Sequence, residues 1–155
     1  SRSTAVVATD HGELRFASQV DTAGASLTQA ISASLGLNPL RAEELKCERG
    51  ILASGPQQEL STIITPSLDA IISEVRSAKD SYESNYNKKI ERVMLAGGSA
   101  NLLGIEKYFK DQLGVPVIKA NPFSKVVYPK HLGGLVDDLG HPLSVALGLG
   151  IREIK

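Results

Sequence analysis

Apolar and polar positions change their spacing several times along the chain, and each change predicts an element. Thr4 to Thr9 is a short β-branched run, Asp10-His11-Gly12 is a turn cluster, and Leu14, Phe16, Ser18 and Val20 then alternate with Arg15, Ala17 and Gln19. Alternation on the far side of a turn predicts a β-hairpin. From Gly24 the apolar positions Leu27, Ile31 and Leu35 recur once per helical turn until Gly36, which predicts a first helix with a glycine stop. Asn38-Pro39 opens a second helix, because Asn caps free amides and Pro at the first helical position has no amide to leave unpaired. That helix ends near Gly50, and Gly50 to Gln58 is expected to be a loop.

Leu60, Ile63, Ile64, Leu68, Ile71, Ile72, Val75, Tyr82 and Tyr86 keep helical spacing and predict the longest helix. Pro66 is expected either to kink it or to start its main part with Thr65 as cap. Ile90 to Ala96 is a nearly continuous apolar strand running into Gly97-Gly98. Ile105, Tyr108, Phe109 and Leu113 mark a further helix stopped by Gly114, and Val115 to Lys119 is the next strand. Asn121 to Gly140 lacks periodicity and is expected to be irregular with one helical turn, and His141-Pro142 then opens a last helix. Strands separated by helices imply an α/β fold in which the hairpin adds antiparallel pairing.

Charge and composition narrow the function. Lys plus Arg and Asp plus Glu both number 17, so no net field attracts a polyanion, and nucleic acid is not an expected partner. Cys47 is the single cysteine, and His11, His131 and His141 are scattered, which excludes an internal disulfide framework and zinc-ligand spacing. A reducing, cytoplasmic setting fits. No run reaches the roughly 20 apolar residues that span a bilayer, so direct membrane insertion is not expected.

Three stretches can carry chemistry. Met94-Leu95-Ala96-Gly97-Gly98-Ser99-Ala100-Asn101 puts two glycines where a buried strand meets a helix, so the backbone can lie against a planar ligand with Ser99 and Asn101 at the rim. The same pair also serves a plain tight turn. Glu43 and Lys46, three apart, share a helix face. The carboxylate can accept from ribose hydroxyls and the ammonium can bond a sugar or base nitrogen, while the plainer reading is an exposed ion pair. Ala23-Gly24 opens a helix at a small-residue turn where backbone can approach a ribose or phosphate, or simply joins hairpin to helix. Cys47 is expected as a packed small side chain and His141 as a helix cap.

Taken in order, Ala23-Gly24 with Leu27-Thr28-Gln29-Ala30-Ile31, Ala42-Glu43 with Lys46, Met94 to Asn101, Gly104-Ile105-Glu106, Asn121-Pro122-Phe123 and Leu147-Gly148-Leu149-Gly150-Ile151-Arg152 form a known pattern. The chain resembles the second domain of the actin-like (ribonuclease H-like) superfamily, and within it the PilM family of type IV pilus assembly more closely than the cell-division family FtsA. The resemblance implies a mixed sheet with an N-terminal hairpin, helices packed on it, and a helical subdomain. About residues 1–37 and 88–155 would form the core and about 38–87 the part that caps the nucleotide.

The resemblance implies further that Gly24, Glu43 and Lys46 lie at the ribose and base of ATP, and that Gly97, Gly98, Ser99 and Asn101 lie along the adenine. Ala23 departs from the family's usual first glycine. The family's second phosphate loop, an Asp-x-Gly, is expected just before Ser3-Thr4, where the sequence begins at Ser1, and Asp10-His11-Gly12 falls at the hairpin turn instead. On this reading the 155 residues are an adenosine-binding half without phosphate loops or the Mg²⁺-organising acid. They would not hydrolyse ATP alone, and would bind it no better than about millimolar. The parent protein would bind ATP with Mg²⁺, contact the cytoplasmic tail of a PilN-type membrane protein, and reside in the cytoplasm at the inner membrane. An FtsA-like fragment, a sugar- or acetate-kinase domain and a purely structural module are the alternatives.

Overall fold

The computed structural model describes residues 1–51, 58–129, 131 and 133–153. Strands β1 (Thr4–Asp10) and β2 (Glu13–Val20) form an antiparallel hairpin. Its two-residue connection places His11 and Gly12 at positive φ, the backbone that matches the right-handed twist of paired strands. Helices α1 (Gly24–Leu35) and α2 (Pro39–Arg49) follow as the periodicity requires. Gly36 ends α1 in the left-handed conformation, and Asn38 Oδ1 accepts from the Arg41 amide at 2.9 Å.

Helix α3 (Gln58–Tyr86) differs from expectation at its start. Pro66 lies inside it, and Thr65 is not a cap: its hydroxyl donates to the Ser61 carbonyl at 2.6 Å. Leu60 and Ile64 before the proline, and Leu68, Ile71 and Ile72 after it, all enter one buried cluster, so packing on both sides carries the helix across the lost amide. Most of the expected loop before α3, residues 52–57, lies outside the described residues.

Strands β3 (Val93–Leu95) and β4 (Val117–Lys119) pair in parallel and are both shorter than their apolar runs. The Ile90 amide donates to Glu83 Oε1 at 3.1 Å instead of to a ladder, and Pro116 has no amide with which to extend β4. Both expected kinds of pairing are present, but among the described residues they form two separate two-stranded sheets rather than one mixed sheet. Two strands alone are marginal in water, and helices stabilise each pair: α3 packs on the hairpin and α4 (Ile105–Leu113) on β4.

The last helix, α5 (Gly133–Glu153), begins earlier than His141-Pro142, so both positions fall inside its span and His141 is not a cap. The segment Asn121 to Gly140, expected to be irregular, is thus part helix, after a 3₁₀ turn over Pro122–Lys125. Helix α5 packs on that turn and on the 3₁₀ turn Gly98–Asn101. The core runs from Leu27 and Ile31 of α1 through Ala42 of α2 and the α3 residues to Leu102, Ile105, Phe109 and Leu113. Among the described residues no helix is long and apolar enough to cross a membrane.

Candidate functional site

At the start of α1, Gly24 is buried and its carbonyl accepts a hydrogen bond from Lys46 Nζ (3.2 Å), with Thr28 Oγ1 3.0 Å away. Lys46 reaches it from α2. Only 6% of this lysine is exposed, and its ammonium also donates to Thr28 Oγ1 (3.0 Å) and Glu43 Oε2 (2.7 Å). Thr28 Oγ1 in turn donates to Glu43 Oε2. Glu43 and Lys46 therefore do not form an exposed surface pair: they are the outer and inner ends of a network that joins α2 to α1.

Partial burial raises the Glu43 carboxyl, and the hydrogen bonds from Lys46 and Thr28 outweigh it, leaving the group below the usual carboxylate range. Glu43 is thus an anion and Lys46 its buried counter-ion. Cys47, expected to be packed, is exposed beside them, with Sγ 3.8 Å from Glu43 Oε1. Being on the outer side of α2, it follows Glu43 rather than the core residue Ala42.

The glycine turn arrives from the other half of the chain. Gly97 has φ +93°, a conformation that favours glycine, and the Gly98–Asn101 turn is closed by Ala100 N–H to Gly97 O (3.1 Å) and Leu102 N–H to Ser99 O (3.1 Å). Ala100 and Leu102 are buried and pin the turn. A methyl group built on Gly24 would stand 2.7 Å from Ser99 Oγ and 3.6 Å from Lys46 Nζ, so the absent Cβ is what lets the two segments meet. Gly24, Glu43, Lys46 and Ser99 are brought together. Asn101 is exposed at the end of the turn and makes no hydrogen bond to this network among the described residues.

Sequence reasoning missed the joint that holds α2 against the turn. Ile51 N–H donates to Leu103 O at 2.7 Å, and methyl groups on Gly50 and Gly104 would each lie 2.4 Å from a backbone oxygen of the opposite segment, Leu103 O and Ile51 O respectively. Both glycines have positive φ. Read locally they are a helix stop and a helix start, and no local signal tells that they cross each other. Thr28 was also not singled out, although its spacing of four from Gly24 places it on the same side of α1.

Residues 1–154 match the family profile of the type IV pilus assembly protein PilM. The chain belongs to the PilM family. Family membership favours PilM over the FtsA-like alternative. Among solved structures the chain is similar to the PilM-PilN type IV pilus biogenesis complex, with a TM-score of 0.83 and 25% identity over 99% of this chain. It is also similar to the ethanolamine utilization protein EutJ from Carboxydothermus hydrogenoformans, with a TM-score of 0.63 and 21% identity over 94% of this chain, a likeness of fold. The α/β, actin-like fold class expected from the sequence therefore stands for this PilM-family chain. It spans 44% and 46% of those two chains.

Proposed function

We propose that this PilM-family chain supplies the adenosine-holding side of an actin-like ATP-binding protein, which serves as a scaffold at the cytoplasmic face of the type IV pilus assembly platform. One observation carries the reading: Gly24 draws the Glu43–Lys46–Thr28 network and Ser99 to one place. A carboxylate for ribose hydroxyls then lies beside a backbone turn suited to a planar base. Gly98 supports the same reading. It does not have positive φ, and a methyl group there would meet nothing within 4 Å, so neither conformation nor packing asks for glycine. A ligand lying flat on the turn would account for it.

In a protein of the relatives' length, phosphates and Mg²⁺ would be held mainly beyond these residues, and the helical segment 38–87 would cap the nucleoside. The 155 residues alone are expected to bind ATP no more tightly than about millimolar. Because the similar solved complex joins PilM to PilN, we place a PilN-type membrane protein tail as partner, and through it a cytoplasmic location at the inner membrane. Nucleotide-linked closure that alters this contact is the working principle.

Titration calorimetry of ATP with full-length protein tests the site. The Glu43→Ala/Lys46→Ala double variant is expected to lose at least about tenfold in affinity, the scale of one charge-assisted hydrogen bond. Equal affinity of variant and parent would instead assign this region a purely structural role.

A further inference from the structure

We propose that Glu83, in the last turn of α3, is a positioning residue for the glycine turn: it holds the Ile90 amide, and with it the point from which β3 runs to Gly97. The inference rests on the nucleoside reading above and deepens it. Between Tyr86 and Val93 the chain leaves a helix, folds back on it and enters a strand. Asn87 makes the turn at φ +51°. Two neighbouring lysines then diverge: Lys88 Nζ donates to Asp10 Oδ2 of the hairpin at 2.7 Å, and Lys89 Nζ donates to Glu83 Oε2 at 2.8 Å. The Ile90 amide donates to the other oxygen, Glu83 Oε1, at 3.1 Å, and Lys79 Nζ stands 3.3 Å from that same oxygen.

This carboxylate stays charged although only 12% of the side chain is exposed. The bond from Lys89, then the Ile90 amide, outweigh the upward push of burial and, with Lys79, hold the carboxyl down at about 2 against an ordinary value of 4.5. The clip is therefore fully formed above the ordinary value and is lost only as pH falls through about 2. Its effect follows from how little else fixes β3 among the described residues. The strand pairs with β4 over Val93, Met94 and Leu95 alone, and so short a ladder is weak by itself. Ala100 and Leu102 pin the glycine turn on its core side. The clip fixes the approach to the turn, because a displacement at Ile90 is carried along β3 to Gly97, two residues beyond Leu95.

Two measurements on full-length protein test the inference. Calorimetry compares ATP binding by Glu83→Gln and Glu83→Ala. Both substitutions remove the negative charge, but Gln keeps an oxygen for the Ile90 amide. Glu83→Gln is expected to bind ATP within about twofold of the parent and Glu83→Ala about fivefold more weakly, the scale of one hydrogen bond. Equal losses in the two variants would assign the effect to charge or to general destabilisation and overturn the inference, as would an unchanged affinity in Glu83→Ala.

The second measurement needs no variant. Coupling is reciprocal, so a clip that positions the turn must itself be held closed by ATP. Amide hydrogen exchange at Ile90 of the parent protein is expected to slow at saturating ATP by about fivefold more than exchange in the hairpin. Unchanged exchange at Ile90, or the same slowing at every amide, overturns the inference while the nucleoside reading survives. Failure of the parent protein to bind ATP removes both.

Discussion

A methyl group at Gly104 would meet the Ile51 carbonyl oxygen at 2.4 Å, whereas one at Gly36 would meet nothing within 4 Å, and both residues have positive φ. The two positions separate conformational strain from crowding. Gly36→Ala is expected to cost about 1–2 kcal/mol, the left-handed penalty alone. Gly104→Ala adds about 1–3 kcal/mol because backbone itself must move. Urea midpoints at unchanged slope measure both, and equal midpoints would show that the Gly50–Gly104 crossing yields without strain. At this scale the sequence made residue types legible and partnerships illegible. Glu43 and Lys46 were visible as a helical pair, but the burial of Lys46 depends on Gly24 and Thr28, which stand on another helix. Ser99 was visible as a rim residue, and its approach to Gly24 follows only from a missing Cβ.

Between elements, polar contacts act beside the apolar core. Tyr108 of α4 donates to Asp69 Oδ1 of α3 at 2.5 Å, and Arg76 of α3 donates to the Gln112 carbonyl of α4 at 2.6 Å. Burial, then the hydrogen bond to Asp69 and that group's charge, push the Tyr108 hydroxyl up to about 12. The folded value is above the unfolded one of about 10. The stabilisation is therefore complete below about pH 10 and is lost as pH rises through about 12. Ultraviolet titration of the phenolate should show one tyrosine ionising in that upper range, and Tyr108→Phe should remove it; ionisation of all tyrosines near pH 10 would contradict the bond. Element identity was well read from periodicity, because one apolar stripe suffices to fix a helix. Boundaries were not. The span of α3 across Pro66, the shortness of β3 and the early start of α5 each depend on a neighbour: core packing, the Glu83 carboxylate, and the two 3₁₀ turns under α5.

For the molecule as a whole, one buried cluster takes side chains from α1, α2, α3 and α4 together with Ile51 and Leu102. Ile64 is fully buried within it. Ile64→Ala is expected to cost about 2–5 kcal/mol. Thermal melting followed by circular dichroism should show a single transition moved to lower temperature, since the cluster ties four helices to one another. A split transition would mean that the helical segment 38–87 folds independently of the rest.

Sequence alone determined the α/β class, the order of hairpin and helices, the inward faces of Leu27, Ile31, Ile64, Phe109 and Leu113, and the family resemblance, because each of these is written in local spacing or in the order of short motifs. Tertiary structure decided which residues of those motifs meet. Ser99 stands where a side chain on Gly24 would be, Lys46 turns inward, and Gly50 crosses Gly104 because segments far apart in sequence approach closely where a side chain is absent. Side-chain periodicity carries no record of such approaches.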